Sequence, residues 1–159
     1  MTPSQQAALQ AVYTAHGGGT FSAQQVTDLT PLVTARNDAA VAAYLNPSLP
    51  PVLMPGQWIT DRGLVDAAVR STGTNALSDS ILSKLDAAMA NSRSAKAVVG
   101  RLYTDPTGID FGNAALAAWF DAELAASAFT QPEHDFLVGL GKVVKPSTTN
   151  EISDALNGA

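Results

Sequence analysis

The chain has 159 residues, of which 46% are hydrophobic and 14% charged, and it contains no cysteine. This length suits one domain, or at most two small helical halves that share a core, and the apolar content excludes a disordered chain. The net charge of −5 and the absence of thiols argue against binding to phosphate backbones or anionic membranes, and against disulfides or thiolate metal sites.

Helix-start and helix-stop residues recur in the first 45 residues. Residues 2–5, Thr-Pro-Ser-Gln, combine an N-cap, an early proline and a capping-box glutamine, and they predict a helix that ends at His16 before three glycines. A second capping box occupies residues 22–25. The pair at 30–31, Thr-Pro, predicts that a helix restarts there and runs through Leu45.

Residues 46–57 carry four prolines, so the sequence predicts that they form neither a helix nor a central strand. We interpret this segment as an extended, ordered connector. Its apolar side chains are expected to pack against the helices; they are Leu49, Val52, Leu53 and Met54.

The remainder of the chain also has helical periodicity. We predict one helix from Thr60, a loop at 71–75, a helix from Ser78 and a short helix over 95–103.

Beyond a turn at 104–108, Asp110 is predicted to cap the next helix, and residues 130–133 combine a capping box with an early proline. Lys145-Pro146 is expected to break that helix, and Thr148 to start the last one. No segment alternates strictly enough to predict a strand. The fold class expected is all-α, a bundle of seven to nine short helices.

Charge is distributed unevenly along the chain. Residues 1–27 have no charged side chain, residues 84–101 are mainly basic, and residues 105–135 have six acidic side chains and no basic one. Two interpretations remain open. In one, the basic and the acidic segment pair with each other within the fold. In the other, they make complementary contacts between neighbouring copies in a ring.

The sequence offers little that is typical of catalysis. His16 at a helix C-terminus is interpreted as a capping or surface residue. The run 133–135, Glu-His-Asp, is interpreted as the acidic first turn of a helix, because consecutive helical residues point in different directions. Phosphate-loop and nucleophile-elbow motifs are absent. We therefore expect no enzyme, no cofactor and no metal.

The two tryptophans are interpreted differently. Trp119, beside Phe120 in a predicted helix, is expected to lie in the core. Trp58 follows the proline-rich connector; it either pins that connector to the helices or is an exposed anchor for a partner.

Four stretches carry a resemblance to a known family: Met1 to Leu9, Asn37 to Asn46 with the proline-rich segment after it, Gln57-Trp58-Ile59-Thr60, and Lys145 to Glu151. In these stretches the chain resembles a family of small helical proteins encoded among the virion-structure genes of tailed bacteriophages. The resemblance implies a virion component without catalytic residues. Its favoured place is the head–tail connector or neck, as an adaptor ring between portal and tail.

That resemblance implies partners as well: copies of the same chain, and portal and tail proteins. The negative net charge predicts no sequence-specific nucleic acid and no membrane among the partners. Assembly is expected in the host cytoplasm, and the final location in the virion. Alternatives are another virion position, such as capsid decoration or a tail-associated protein, and a cytoplasmic phage module that binds a host protein. The residues predicted to contact partners are Leu53, Met54, Trp58, Arg93, Lys96, Arg101, Asp121 and Glu123.

Overall fold

Nine α-helices, one 3₁₀ turn at Asn46–Ser48 and four two-residue strands make up the computed structural model, which describes residues 1–159. The predicted all-α class is confirmed. The helices are α1 Pro3–Ala15, α2 Ala23–Thr34, α3 Asp38–Leu45, α4 Asp61–Thr72, α5 Ala76–Asn91, α6 Arg93–Thr104, α7 Ala114–Ala125, α8 Gln131–Leu140 and α9 Thr149–Asn157. The strands are β1 Val52–Leu53, β2 Trp58–Ile59, β3 Ile109–Asp110 and β4 Lys142–Val143, and β1 pairs with β4 while β2 pairs with β3.

The chain, predicted as one domain, divides into two compact units, each with its own hydrophobic core. The first unit comprises Met1–Val52 and Val143–Ala159, and the second comprises Leu53–Lys142. None of the helices is long and apolar enough to cross a membrane.

The core of the first unit joins α1, α2 and α3 to the last helix, α9. Its fully buried side chains include Leu9, Leu29, Val41, Leu45 and Ile152. These positions follow the helical spacing that the sequence shows, so that each helix contributes one apolar stripe.

Two polar contacts attach the segment before α9 to the same unit. Asn46 Oδ1 accepts hydrogen bonds from Ser147 N and Ser147 Oγ, both at 2.8 Å. His16 caps α1 as predicted, but it is not on the surface, because the residue is only 2% exposed. His16 Nδ1 donates to the carbonyl oxygen of Lys145 at 2.8 Å, and Nε2 lies 3.3 Å from Glu151 Oε1. The surface interpretation of His16 is therefore wrong.

Thr30-Pro31 does not begin a helix, which corrects one prediction. Pro31 lies inside α2, and the break comes five residues later, at Arg36, whose φ of 50° is left-handed. Asn37 then caps α3 by accepting a hydrogen bond from Ala40 N at 3.1 Å. Pro31 therefore does not interrupt α2. The left-handed Arg36 and the cap residue Asn37 separate α2 from α3.

The connector at 46–57 departs from its prediction in two places. Pro47 occupies an early position of the 3₁₀ turn, where no N–H donor is required, so the segment does begin with one helical turn. Leu49 is buried as expected, and Leu53 is half-buried, but Met54 is 39% exposed.

In the second unit α4 to α8 surround a core rich in leucine and phenylalanine. Phe120 is its aromatic centre, with the rings of Phe111, Phe129 and Trp119 at centroid distances of 5.9, 6.0 and 5.2 Å. Helix boundaries here are close to those predicted, except that α5 begins at Ala76, α6 at Arg93 and α7 only at Ala114. α8 ends at Leu140, before the predicted break at Lys145-Pro146, and β4 follows.

Candidate functional site

A short antiparallel ladder in the second unit brings the connector against the segment that precedes α7. Trp58 pairs with Asp110, and Ile59 with Ile109. Each strand has only two residues, too few to produce the alternation by which a strand is recognised in a sequence. The ladder fixes the backbone of Trp58. From the sequence, this tryptophan was expected either to hold the connector against the helices or to be exposed as an anchor for a partner.

Asp110 holds this ladder in place through its carboxylate. The carboxylate oxygens accept hydrogen bonds from the backbone N–H groups of Gly56, Gln57 and Gly112 at 2.9–3.0 Å. The prediction that Asp110 caps a helix is wrong, because Asn113 caps α7 through hydrogen bonds from Ala115 N and Leu116 N. Asp110 instead satisfies donors of a loop more than fifty residues earlier in the chain.

Two glycines permit the backbones to approach this closely. A Cβ atom on Gly108, whose φ is +81°, would lie 1.9 Å from the carbonyl oxygen of Ile59. A Cβ atom on Gly112 would lie 1.7 Å from the carbonyl oxygen of Met54. No side chain fits at either position, so both glycines are required by the ladder.

Beside the ladder a cleft of about 430 Å³ lies between α6 and α7. This volume is in the range of sites that bind small ligands or anchor side chains, roughly 300–1,000 Å³. Its main lining side chains are Trp58, Val98, Arg101, Ile109, Leu116 and Trp119. Both tryptophans of the chain therefore face one cleft.

The cleft has an exposed aromatic and aliphatic rim. Trp58 is 54% exposed and Val98, on α6, is 46% exposed. Trp119 is only partly exposed, because its ring also packs on Phe120 in the core. Large apolar groups held open on a fixed backbone are typical of surfaces that bury them against a partner.

Arg101 is the charged side chain of the cleft that remains available to a partner. Its Nη2 lies 3.3 Å from Asp105 Oδ2, which occupies one of its five N–H donors. The other charged lining residue is Asp110, whose carboxylate already accepts the three backbone hydrogen bonds of the ladder. The cleft is thus apolar with one accessible cation.

Among the residues predicted to contact partners, the cleft brings together Trp58 and Arg101 alone. Arg93 and Lys96 are exposed on the same helix, α6, outside the cleft lining. The others do not line the cleft either: Leu53 is half-buried in β1, Met54 is exposed beside it, Asp121 is exposed on α7, and Glu123 is partly exposed on α7.

The basic and acidic segments do pair within the fold, in part. Lys84 and Glu133 form an ion pair, as do Arg101 and Asp105. Asp121 contacts His134 of its own segment instead, with 2.7 Å between Oδ1 and Nε2. Arg93 and Lys96 form no ion pair, so part of the positive charge of α6 stays open to other molecules.

Glu133 lies in the acidic first turn of α8 and completes its capping box, as predicted, and it also belongs to a buried polar cluster that was not predicted. Its side chain accepts hydrogen bonds from Ser80 Oγ at 2.6 Å, from Thr130 N at 2.7 Å and from Lys84 Nζ. Burial opposes the charged form, but these hydrogen bonds outweigh it and lower the pKa of Glu133 to about 2. His134 contacts Asp135 as well as Asp121, yet no group of three or more His, Cys, Asp or Glu side chains is placed to hold a metal ion.

Val98, Leu116 and Trp119 line the cleft but were not predicted to contact a partner. In α6, Ala95, Val99 and Leu102 form the inward stripe, and Val98 fits the same i, i+3, i+4, i+7 spacing. The helical period therefore predicts a buried Val98, and its 46% exposure depends on how α6 packs in the tertiary structure. Trp119 gives no signal either, because its neighbours make it look like a core residue.

Searches of protein-family models, of curated proteins and of solved structures returned no match to this chain.

Proposed function

We propose that this chain is a non-enzymatic structural protein of a tailed-phage virion, a head–tail connector or neck adaptor that forms a ring between portal and tail. The phage assignment rests on the resemblance of the four sequence stretches described above. The partner-binding role is supported by the surface of the second unit.

One observation carries the partner-binding role: Trp58 is more than half exposed although its backbone is fixed in the β2–β3 ladder. Exposing a tryptophan leaves a large apolar surface in water, and covering it releases free energy. A rigid backbone lowers the entropic cost of that contact, because the anchor is already in place. Assembly proteins depend on such pre-organised anchors.

The virion assignment is tested by mass spectrometry of purified phage particles from the host that carries this gene. The expected result is the protein at a copy number like that of portal and tail-completion proteins. A copy number like that of the major capsid protein would instead indicate capsid decoration. Absence from particles would overturn the assignment and favour a cytoplasmic module that binds a host protein.

The ring is tested on the purified chain by native mass spectrometry and sedimentation velocity, alone and with purified portal protein. We expect a closed oligomer, formed by the chain itself or on the portal. A chain that stays monomeric under both conditions would contradict the ring.

A further inference from the structure

The cleft between α6 and α7 has a chemical character that specifies its occupant more closely. Its walls are apolar, with the two tryptophans and Val98, and its accessible charge is the guanidinium of Arg101. The carboxylate of Asp110 is engaged by the backbone N–H groups of three residues, whose dipoles partly offset its negative charge. An apolar group with a neighbouring carboxylate matches this surface.

The positive charge extends along α6 beyond the cleft. Arg93 lies eight positions before Arg101 on the helix, and both side chains are exposed. At about 1.5 Å per residue the two positions are about 12 Å apart along the helix axis. An extended chain covers that distance in about four residues at roughly 3.3 Å each.

From this arrangement we infer that the cleft binds an acidic segment of a partner protein. One large apolar side chain of that segment seats between Trp58 and Trp119. A carboxylate next to it pairs with Arg101, and a second carboxylate about four residues away in an extended segment reaches Arg93. This inference rests on the partner-binding role proposed above and names the chemistry of the partner.

The apolar anchor and the arginines contribute to binding in different ways. Burial of the apolar anchor supplies most of the affinity, since tryptophans in a desolvated pocket dominate interface energies. The arginines lie at the rim, where charge accelerates encounter, selects acidic sequences and is screened by salt. Binding is therefore expected to weaken with ionic strength without being abolished.

The test is a selection of random displayed peptides against the whole purified chain. Parallel baits are Trp58→Ala, Arg101→Glu and, as a matched control outside the cleft, Arg62→Glu on α4, where Arg62 is exposed and has no ion pair. Thermal melts by circular dichroism establish that each variant folds. Peptides selected on the natural chain are expected to be enriched in Asp and Glu beside a large apolar residue.

A selected peptide without tryptophan is then titrated while the fluorescence of Trp58 and Trp119 is followed, since the chain has no other tryptophan. Trp58→Ala should weaken binding at least about tenfold. Arg101→Gln should weaken it by about three- to tenfold at low salt, and Arg101→Glu should reverse the selection toward basic peptides. Arg62→Glu should leave the affinity unchanged.

The inference would be overturned by no enrichment, by enrichment without acidic residues, or by peptides that bind the cleft variants as well as the natural chain. If the chain self-associates and Trp58→Ala abolishes that association, the cleft belongs to a second copy and the separate acidic partner is wrong. The presence of the protein in virions is measured independently. A failed peptide selection therefore does not affect the phage assignment. Absence of the protein from virions likewise does not affect the result of the peptide selection.

Discussion

Lys84 on α5 donates a hydrogen bond to the buried carboxylate of Glu133 on α8, 49 positions later in the chain. Glu133 is only 4% exposed. A carboxylate so buried needs its partners, because an unpaired charge in that position loses its hydration without compensation. The pair thereby joins α5 and α8, which are not neighbours along the chain.

Replacing Glu133 by Gln is expected to lower the free energy of unfolding by about 2–4 kcal/mol, since it removes the charge that Lys84, Ser80 and Thr130 all contact. Urea unfolding followed by circular dichroism measures the change. The matched control is Glu123→Gln on α7, where the carboxylate forms no ion pair and the expected change is within about 0.5 kcal/mol. Equal effects of the two substitutions would contradict the role of the buried pair.

The lowered pKa of Glu133 leads us to predict that the stability of the chain depends on pH. In the folded chain the pKa of Glu133 is about 2, below its ordinary value of 4.5, so the unfolded chain binds a proton more readily. The stability it contributes is therefore complete above about pH 5 and is lost as pH falls toward 2. The difference in unfolding free energy between the natural chain and Glu133→Gln should shrink by about 3 kcal/mol at most over that range. A difference that is constant with pH would show that the pKa of Glu133 is the same in the folded and unfolded chains, so that its contacts do not favour the charged form.

Asp110→Asn is expected to loosen the β2–β3 ladder. Asparagine keeps one acceptor oxygen, but it loses the charge and the second oxygen that bind Gly56, Gln57 and Gly112. The expected loss of stability is about 1.5–3 kcal/mol. Thermal denaturation gives this value, and a shift in tryptophan emission reports the movement of Trp58. Asp66→Asn should change neither measurement, because Asp66 is exposed on α4 and its carboxylate accepts no hydrogen bond from the chain.

Gly108→Ala should destabilise the chain by more than about 2 kcal/mol, because the residue has a left-handed φ and its Cβ would overlap the backbone of Ile59. The control is Gly139→Ala in α8. No atom lies within 4 Å of a Cβ at Gly139, so alanine should raise stability there by up to about 1 kcal/mol. Chemical unfolding of the two variants should therefore give changes of opposite sign. A mild effect at Gly108 would mean that the ladder tolerates a wider spacing.

His16→Phe is expected to release α9 from the first unit. Phenylalanine retains the buried ring but removes the hydrogen bond to the Lys145 carbonyl and the contact with Glu151. Amide hydrogen exchange should become faster over residues 149–157 while α2 remains protected. Asp154→Asn, an exposed change on α9 itself, should leave the exchange unaltered. Unchanged exchange in His16→Phe would show that the apolar contacts of Ile152 hold the helix alone.

Much of the helical content could be predicted because its signals are local. Thr2, Ser22, Thr60 and Thr148 each cap the helix that follows them, through a hydrogen bond that spans three residues. The error at Thr30-Pro31 also comes from relying on local signals. The pair is a typical helix start, whereas the left-handed Arg36 that ends α2 is not marked by a typical helix-stop residue.

The candidate site was predicted only in part. Trp58 was recognised as a possible anchor from its place after the prolines, and Arg101 from the basic run. Their convergence on one cleft with Trp119 depends on the packing of α6 and α7 and on the pairing of β2 with β3. Pairs separated by some fifty residues leave no periodic trace in a single sequence.

The sequence by itself determined that this protein is helical, where most of its helices begin, and which stripes of each helix are apolar, because caps and the 3.6-residue period act within a few positions. Only the tertiary structure decided that Asp110 ties a loop rather than a helix, that His16 and Glu133 are buried with partners, and that Trp58 stays open beside Arg101. The physical reason is distance along the chain. Burial and hydrogen bonding depend on what the fold places around a side chain, and those neighbours come from remote segments.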